Sequence, residues 1–488
     1  YQGKSYEEVF PDYSIDLSLR FRQAENKQEE IQQQSIFLID DWCSRYDDKI
    51  KAKGDIGFLV TTLGSDGRVA FNIKGTSIHS NTALRQTNFA TQADAASSLG
   101  GIEVAKNRLV ITIGLETITR NPNAVAIVIA AGESNAHIIK NALESEMTTQ
   151  YPATVLQRLE NSRFYLTEGA ASLLEDSIKH YYFKEEWNFQ KTEKAILALC
   201  KKLNRYASKL TLDDLQNDEI CRMIPNLSLE TVKEVISSVE TKLFRGSITQ
   251  TNKVIYNSGP HHDDIMLGIM PLTNRQLRPA SNTVHFAVMT SGYNSVTNGF
   301  LCDSMKMTLD FIEKDEIQMV HYPDFFEEGY KHKHDKDIYH YLDSVARDDQ
   351  YQMNRGFCHR LLRCSVTIWQ FKNLEELKAK YKEVIDVLER SYDGEKNTPD
   401  LQRLKGMIRE FEEELVWAYN GVQVKNVHHL HLGFYQDSGV SKGPNMERDV
   451  MPILNQFREI QPNIISVTLD PEGSGPDTHY KVLQATAA

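Results

Sequence analysis

The chain has no excess of positive charge. Its 55 lysines and arginines face 67 aspartates and glutamates, a formal net charge of -12 over 488 residues. That argues against a nucleic-acid binder, whose affinity depends on Lys and Arg facing phosphates. A small anionic substrate is still compatible, because it needs only a local positive pocket. The six cysteines (Cys43, Cys200, Cys221, Cys302, Cys358, Cys364) include no CxxC pair, so a reduced, cytoplasmic setting is expected. No run of eighteen apolar residues occurs, and no membrane span is expected. The opening YQGKSYEEVF has no Met, signal or transit pattern and reads as N-terminally incomplete. What is present, 41% hydrophobic and 25% charged residues, is ordinary soluble composition. The length suits two domains or more.

One stretch organises the rest: Val254 to Met270, VIYNSGPHHDDIMLGIM. An apolar run stops at Asn257-Ser258-Gly259-Pro260, four polar residues follow, and an apolar helical pattern begins at Ile265. A strand that ends in such a turn sets His and Asp side chains at its carboxyl end, where open α/β sheets bind ligands. Imidazole and carboxylate are ligands zinc accepts, and a further carboxylate can act as base toward water. The bland alternative is a helix N-terminus, where Asp is favoured by unsatisfied N–H groups.

Pro260-His261-His262-Asp263-Asp264 resembles the P-H-P-D-D motif of the LmbE-like (GlcNAc-PI de-N-acetylase) family, with His262 in the proline's place. The resemblance implies zinc as cofactor, His261 and Asp264 as ligands and Asp263 as general base. It puts the third ligand on His479 and extends over roughly residues 250 to 488, a C-terminally incomplete domain. Arg409 and Glu412 match that family's R-x-x-E helix. A second His found in many members falls on Pro476, which leaves zinc alone, Asp477 if protonated, or His429 or His431 as electrophile.

Earlier in the chain, Glu29 to Lys53 reads as an amphipathic helix ending at Gly54. Ile56 to Val60, Leu109 to Ile113, Ala124 to Ala131 and Phe164 to Thr167 read as core-type strands, with a helix from Ala136 to Glu144. Strands that alternate with helices and are apolar on both faces argue a mostly parallel α/β sheet. Over roughly residues 30 to 175, the segments 43–50, 64–72 and 112–115 resemble glucosamine-6-phosphate deaminase. That family's motif residues fall on Asp66, on Arg68 where it has the ring-opening His, and on Ile73 where it has a Glu. Its phosphate-binding Lys falls on Asn135. Arginine, with a pKa above about 12, cannot shuttle protons near neutral pH. This half therefore reads as a deaminase fold without its chemistry, either still binding a sugar phosphate or serving as a structural platform.

Residues 175 to 250 show helical periodicity, with Ser228 as a cap. His332, His334 and His340 in KHKHDKDIYH read as a solvated face. In Val427 to Leu432, His429 and His431 would share one side of a strand and His428 the other, a rival metal pair or packed histidines. Ile464 to Leu469 is a last strand before a glycine-rich loop.

The expected architecture is α/β, two domains with mostly parallel, Rossmann-like sheets joined by a helical bridge. The deaminase-like region covers 1–175, the helical linker 176–250, and the LmbE-like region 251–488 with a helical insertion at 302–400. The expected function is zinc-dependent hydrolysis of an N-acetyl group from an N-acetylglucosamine-type amino sugar. The alternatives are a glucosamine-6-phosphate deaminase/isomerase-related protein, or a non-catalytic sugar-phosphate-binding or scaffold protein. The expected partner is a small amino sugar, with a homo-oligomer through the deaminase-like region compatible with the resemblance.

Overall fold

The computed structural model describes residues 4–10, 15–93, 109–327, 334–391, 395, 397–433, 443–469 and 477–488. The fold is α/β with parallel sheets, as the alternation of apolar strands and helices implies. In the first region, β1 (Phe58–Thr61), β4 (Val125–Ala130) and β5 (Asn161–Leu166) form a parallel sheet in the order β1-β4-β5. β4 reads VAIVIA, and its Ala126 and Val128 point into a core with Val69, Leu115, Ile118 and Leu156. The other face is barer than the sequence pattern implies: Phe58 is 63% exposed, and Val60, Ile129 and Tyr165 are exposed beside it.

One strand departs from expectation. Leu109 to Ile113 was expected in the core sheet. Instead β3 (Val110–Thr112) pairs antiparallel with β2 (Ala83–Arg85) in a separate two-stranded ribbon, and Ile111 is 47% exposed. A short apolar run fits a half-exposed ribbon as well as a buried strand, since periodicity alone cannot separate the two.

Helices follow from Glu175 to Ser247. Ser228 caps the last, Leu229–Ser247, by accepting from the Thr231 N–H. Ile196, Leu199, Val232 and Val235 bury one face of the Phe189–Leu203 and Leu229–Ser247 helices against each other. Glu193 ties them further, accepting from Ser238 Oγ at 2.5 Å and Lys242 Nζ at 2.6 Å.

The second sheet is wholly parallel, in the order β8-β7-β6-β9, from β6 (Val254–Gly259), β7 (Thr283–Val288), β8 (Val427–His429) and β9 (Ile464–Val467). β6 is central, and both its faces are buried: Tyr256 packs with Ala287, Met289 and Ile453, and Ile255 with Phe286 and Trp417. A strand buried on both sides reads as an unbroken apolar run. Helices Asn298–Glu313, Gln350–Trp369, Leu374–Arg390 and Pro399–Tyr419 share their own core around Leu301, Leu361, Tyr381 and Leu404. The Pro399–Tyr419 helix anchors this layer to the sheet through Trp417, which is fully buried and stacks on Phe286 with ring centroids 3.6 Å apart.

Trp417→Ala empties the largest fully buried side chain at that junction. It is expected to cost about 3–5 kcal/mol of stability, read from urea unfolding. A loss below about 1 kcal/mol would mean the stack does not hold the layers together.

Candidate metal centre

β6 runs to Gly259, and the chain must then turn within four residues into the Asp264–Leu277 helix. A Cβ at Gly259 would come within 2.9 Å of Ile265 Cγ1 and 3.2 Å of the His261 carbonyl, so the close turn needs glycine. Thr290, just past β7, fixes the turn from the side: its N–H and hydroxyl both donate to the Pro260 carbonyl, at 3.1 and 2.7 Å. The His261 N–H then donates to Asp264 Oδ2 at 2.7 Å, folding that carboxylate back toward the strand end.

His479, on the Asp477–Ala487 helix, closes the group. His261 Nδ1 lies 3.2 Å from His479 Nε2 and 3.3 Å from Asp264 Oδ2, and His479 Nε2 lies 3.4 Å from the same oxygen. A tetrahedral ion with bonds of about 2.0–2.1 Å separates its donors by roughly 3.3 Å. The three atoms therefore already have the edge lengths of one face of a zinc tetrahedron. Among the described residues this is the one group of three or more His, Cys, Asp or Glu that could hold a metal ion. Burial raises the Asp264 carboxyl, but the hydrogen bond and charge of His261, with His479 beyond, outweigh it and hold the group below the usual carboxylate range.

Asp263 sits at the helix start without a side-chain cap bond and is exposed. It is thus free to meet a solvent-delivered molecule beside the trio. Pro476 and the Asp477 side chain lie outside the described residues.

The rival strand does not make a second metal site. β8 stops at His429, and His431 takes a positive φ of 50°, so the two do not share a strand face as expected. His431 Nε2 pairs with Glu410 at 2.5 Å, while His429 Nε2 stands 3.7 Å from Glu414. His428 faces the other way and meets His285 Nδ1 at 3.0 Å. His340 also departs from expectation: its ring stacks on His359 and its Nε2 is shielded from solvent, rather than lying on a solvated face. His332 and the His334 side chain fall outside the described residues.

The sequence reading missed how much charge gathers beside the trio. Arg409 pairs with Glu412, Arg360 with Glu414, and the Trp417 indole N–H donates to Glu413. Burial pushes Glu413 up to about 8, with the negative charges of Asp263 and Asp264 adding to the rise. His262, 4% exposed, stacks on His429 with ring centroids 5.7 Å apart. Burial pushes it down to about 2, with His429 and Arg409 adding to the effect. The available signal was Glu410 to Glu414 sharing two helical turns with Phe411 and Trp417: a helix that buries those aromatics also turns some of the glutamates inward.

In the first region, Arg68 is buried and its Nη1 donates to Asp66 Oδ1 at 2.9 Å, while Asn88 Nδ2 donates to Asp66 Oδ2 at 2.6 Å. Asn135 Nδ2 donates to the Ala131 carbonyl at 2.7 Å. Asp66 is held by a group that never gives up its proton near neutral pH.

No family model matches the chain. A glucosamine-6-phosphate deaminase-like protein of Bacteroides thetaiotaomicron is 24% identical over 477 residues, covering 91% of this chain and 63% of that protein. The glucosamine-6-phosphate deaminases of Beutenbergia cavernae and Corynebacterium urealyticum are 31% and 32% identical over 140 and 146 residues, each covering 29% of this chain. The chain contains a glucosamine-6-phosphate deaminase-like region. It spans about half the length of those two deaminases, 52% and 55%. A solved monomeric glucosamine-6-phosphate deaminase is 24% identical and covers 31% of this chain and 56% of its own, at a TM-score of 0.25. The comparisons give no support to an LmbE-like second half, whose resemblance stands on its motif residues alone.

Purified chain is expected to bind one zinc per molecule by metal analysis, and His261→Ala or Asp264→Ala to abolish it. A double change of His429 and His431 to Ala is expected to leave the zinc in place. The reverse pattern would move the site to β8.

Proposed function

We propose a deaminase-related protein of amino-sugar metabolism whose metal centre hydrolyses the N-acyl amide of an N-acetylglucosamine-type sugar. The relatives' names support the amino-sugar setting and favour the deaminase-related description. The hydrolytic reading rests on one observation, the mutual spacing of 3.2–3.4 Å among the donor atoms of His261, Asp264 and His479. Those residues would hold zinc, which when bound supplies Lewis acidity for activating water and polarising a carbonyl. Asp263, exposed at the head of the helix, would take the proton from the attacking water and deliver it to the departing amine. The hydrogen bond from the His261 amide keeps Asp264 in its ligating orientation, so the two adjacent aspartates divide the work.

A second reading, a deaminase-like region that binds a sugar phosphate without converting it, is favoured by the Asp66–Arg68–Asn88 cluster. The position that needs a proton carrier holds a buried guanidinium instead.

Zinc-loaded chain is expected to release acetate from an N-acetylhexosamine and no ammonia from glucosamine 6-phosphate. Ammonia release without acetate would replace the hydrolytic reading by the deaminase one. Asp263→Asn is expected to keep zinc while acetate release falls about 10²–10⁴-fold, and a loss under about tenfold would remove Asp263 from the role of base. Arg68→His combined with Ile73→Glu is expected to yield no ammonia. Measurable release would mean the first region keeps more of a deaminase site than its residues suggest.

A further inference from the structure

Polar atoms that are buried without a hydrogen-bond partner are rare in folded proteins, and each costs about 1–3 kcal/mol. Six of them gather beside the metal trio: both ring nitrogens of His262, both of His429, Arg409 Nε and Glu413 Oε2. His262 and His429 stack. Gly292, at a positive φ of 60°, brings its backbone against His262, where a Cβ would lie 2.8 Å from Nδ1 and 4.0 Å from Arg409 Cγ. Arg409 and Glu413 are one turn apart on the Pro399–Tyr419 helix. Glu414 is 3.7 Å from His429 Nε2, beyond hydrogen-bond reach. A core assembled only for packing would not collect unsatisfied groups of this kind in one place.

We infer that His262 and His429 form a substrate subsite beside the metal trio that takes an uncharged group offering both hydrogen-bond donors and acceptors, an amide or adjacent sugar hydroxyls, and not a phosphate or carboxylate. Each imidazole carries at least one N–H whichever nitrogen is protonated, so the pair needs acceptors. Glu413 Oε2, one turn from Arg409 on the same helix, is buried without a hydrogen-bond partner as well. The surroundings set the charge: Glu410, Glu412, Glu414 and Asp263 lie in the neighbourhood, and Arg409 and Arg360 are each already paired with a glutamate. An anion would meet carboxylates without an uncommitted guanidinium to offset them. An N-acetylated sugar without phosphate offers such a pair both donors and acceptors. This deepens the hydrolytic reading by naming its substrate class, and rests on that reading for the presence of a reacting amide nearby.

The test is calorimetry on the full zinc-loaded chain with N-acetylglucosamine, with and without inorganic phosphate as competitor. His262→Phe keeps a ring against His429 but removes both unsatisfied nitrogens, and is expected to weaken sugar binding at least tenfold with zinc content unchanged and the thermal midpoint raised. His262→Gln, which restores a donor and an acceptor, is expected to recover part of the affinity. Competition by phosphate that persists in zinc-free chain, unaltered affinity in His262→Phe, or no binding of N-acetylglucosamine by the unaltered chain would each overturn the inference. Should His262→Phe lose both sugar and fold, the His262→Gln result decides: no recovery in a folded variant overturns it. Sugar binding that depends on His262 in a chain that releases no acetate would sink the hydrolytic reading and leave the subsite standing.

Discussion

The hydrogen bond from the His261 amide to Asp264 Oδ2 closes the turn after β6, and the second half of the molecule is built to keep that turn in place. Gly259 lets the chain approach Ile265 closely. Thr290, just past β7, holds the Pro260 carbonyl with two donors. The central position of β6, paired to β7 on one side and β9 on the other, makes the strand end a fixed point. His479 reaches that point from a helix more than two hundred residues later in the chain. The convergence is a property of parallel sheets, whose carboxyl ends open on one edge where later loops and helices can contribute side chains.

The helical layer packed on this sheet carries a second constraint. Phe286 and Trp417 lock the Pro399–Tyr419 helix against β7, and that fixes Arg409 and the glutamates from 410 to 414 beside the trio. Arg363 with Asp337, at 2.6 Å, and Arg360 with Glu414 hold the neighbouring helices in register. Buried ion pairs of this kind contribute little net stability and cost several kcal/mol when one partner is removed. They restrict how the layer can shift and so keep a crowded charge cluster in one arrangement.

Local features of the site were legible in the sequence and distant ones were not. The β6 strand, its Gly-Pro turn and the following helix could be read from residues 254 to 270, because strand, turn and helix signals lie within seventeen consecutive positions. His479 emerged only through a resemblance, since no spacing rule links positions so far apart. The Leu109–Ile113 segment reads as a core strand because so short a run cannot reveal which sheet it joins. His431 was placed on a strand face because alternation predicts it, and a positive φ two residues past the strand end broke that alternation. Of the run from Glu410 to Glu414, only Glu412 stands out in the sequence, through the R-x-x-E resemblance. The pull of Phe411 and Trp417 into two separate cores turned part of it inward.

Trp417 donates its indole N–H to Glu413, and burial with the neighbouring aspartate charges pushes that carboxyl up to about 8. At neutral pH the indole therefore faces an uncharged acid, and above that range a carboxylate. Indole emission responds to a charge appearing beside its pyrrole nitrogen, so this tryptophan is an intrinsic optical reporter placed where the helical layer meets the sheet. A cation that neutralises Asp264 weakens the repulsion on Glu413 and moves the optical transition to lower pH. The same side chain that fastens the layers thus converts the electrostatic state of the centre into a fluorescence signal that needs no added label.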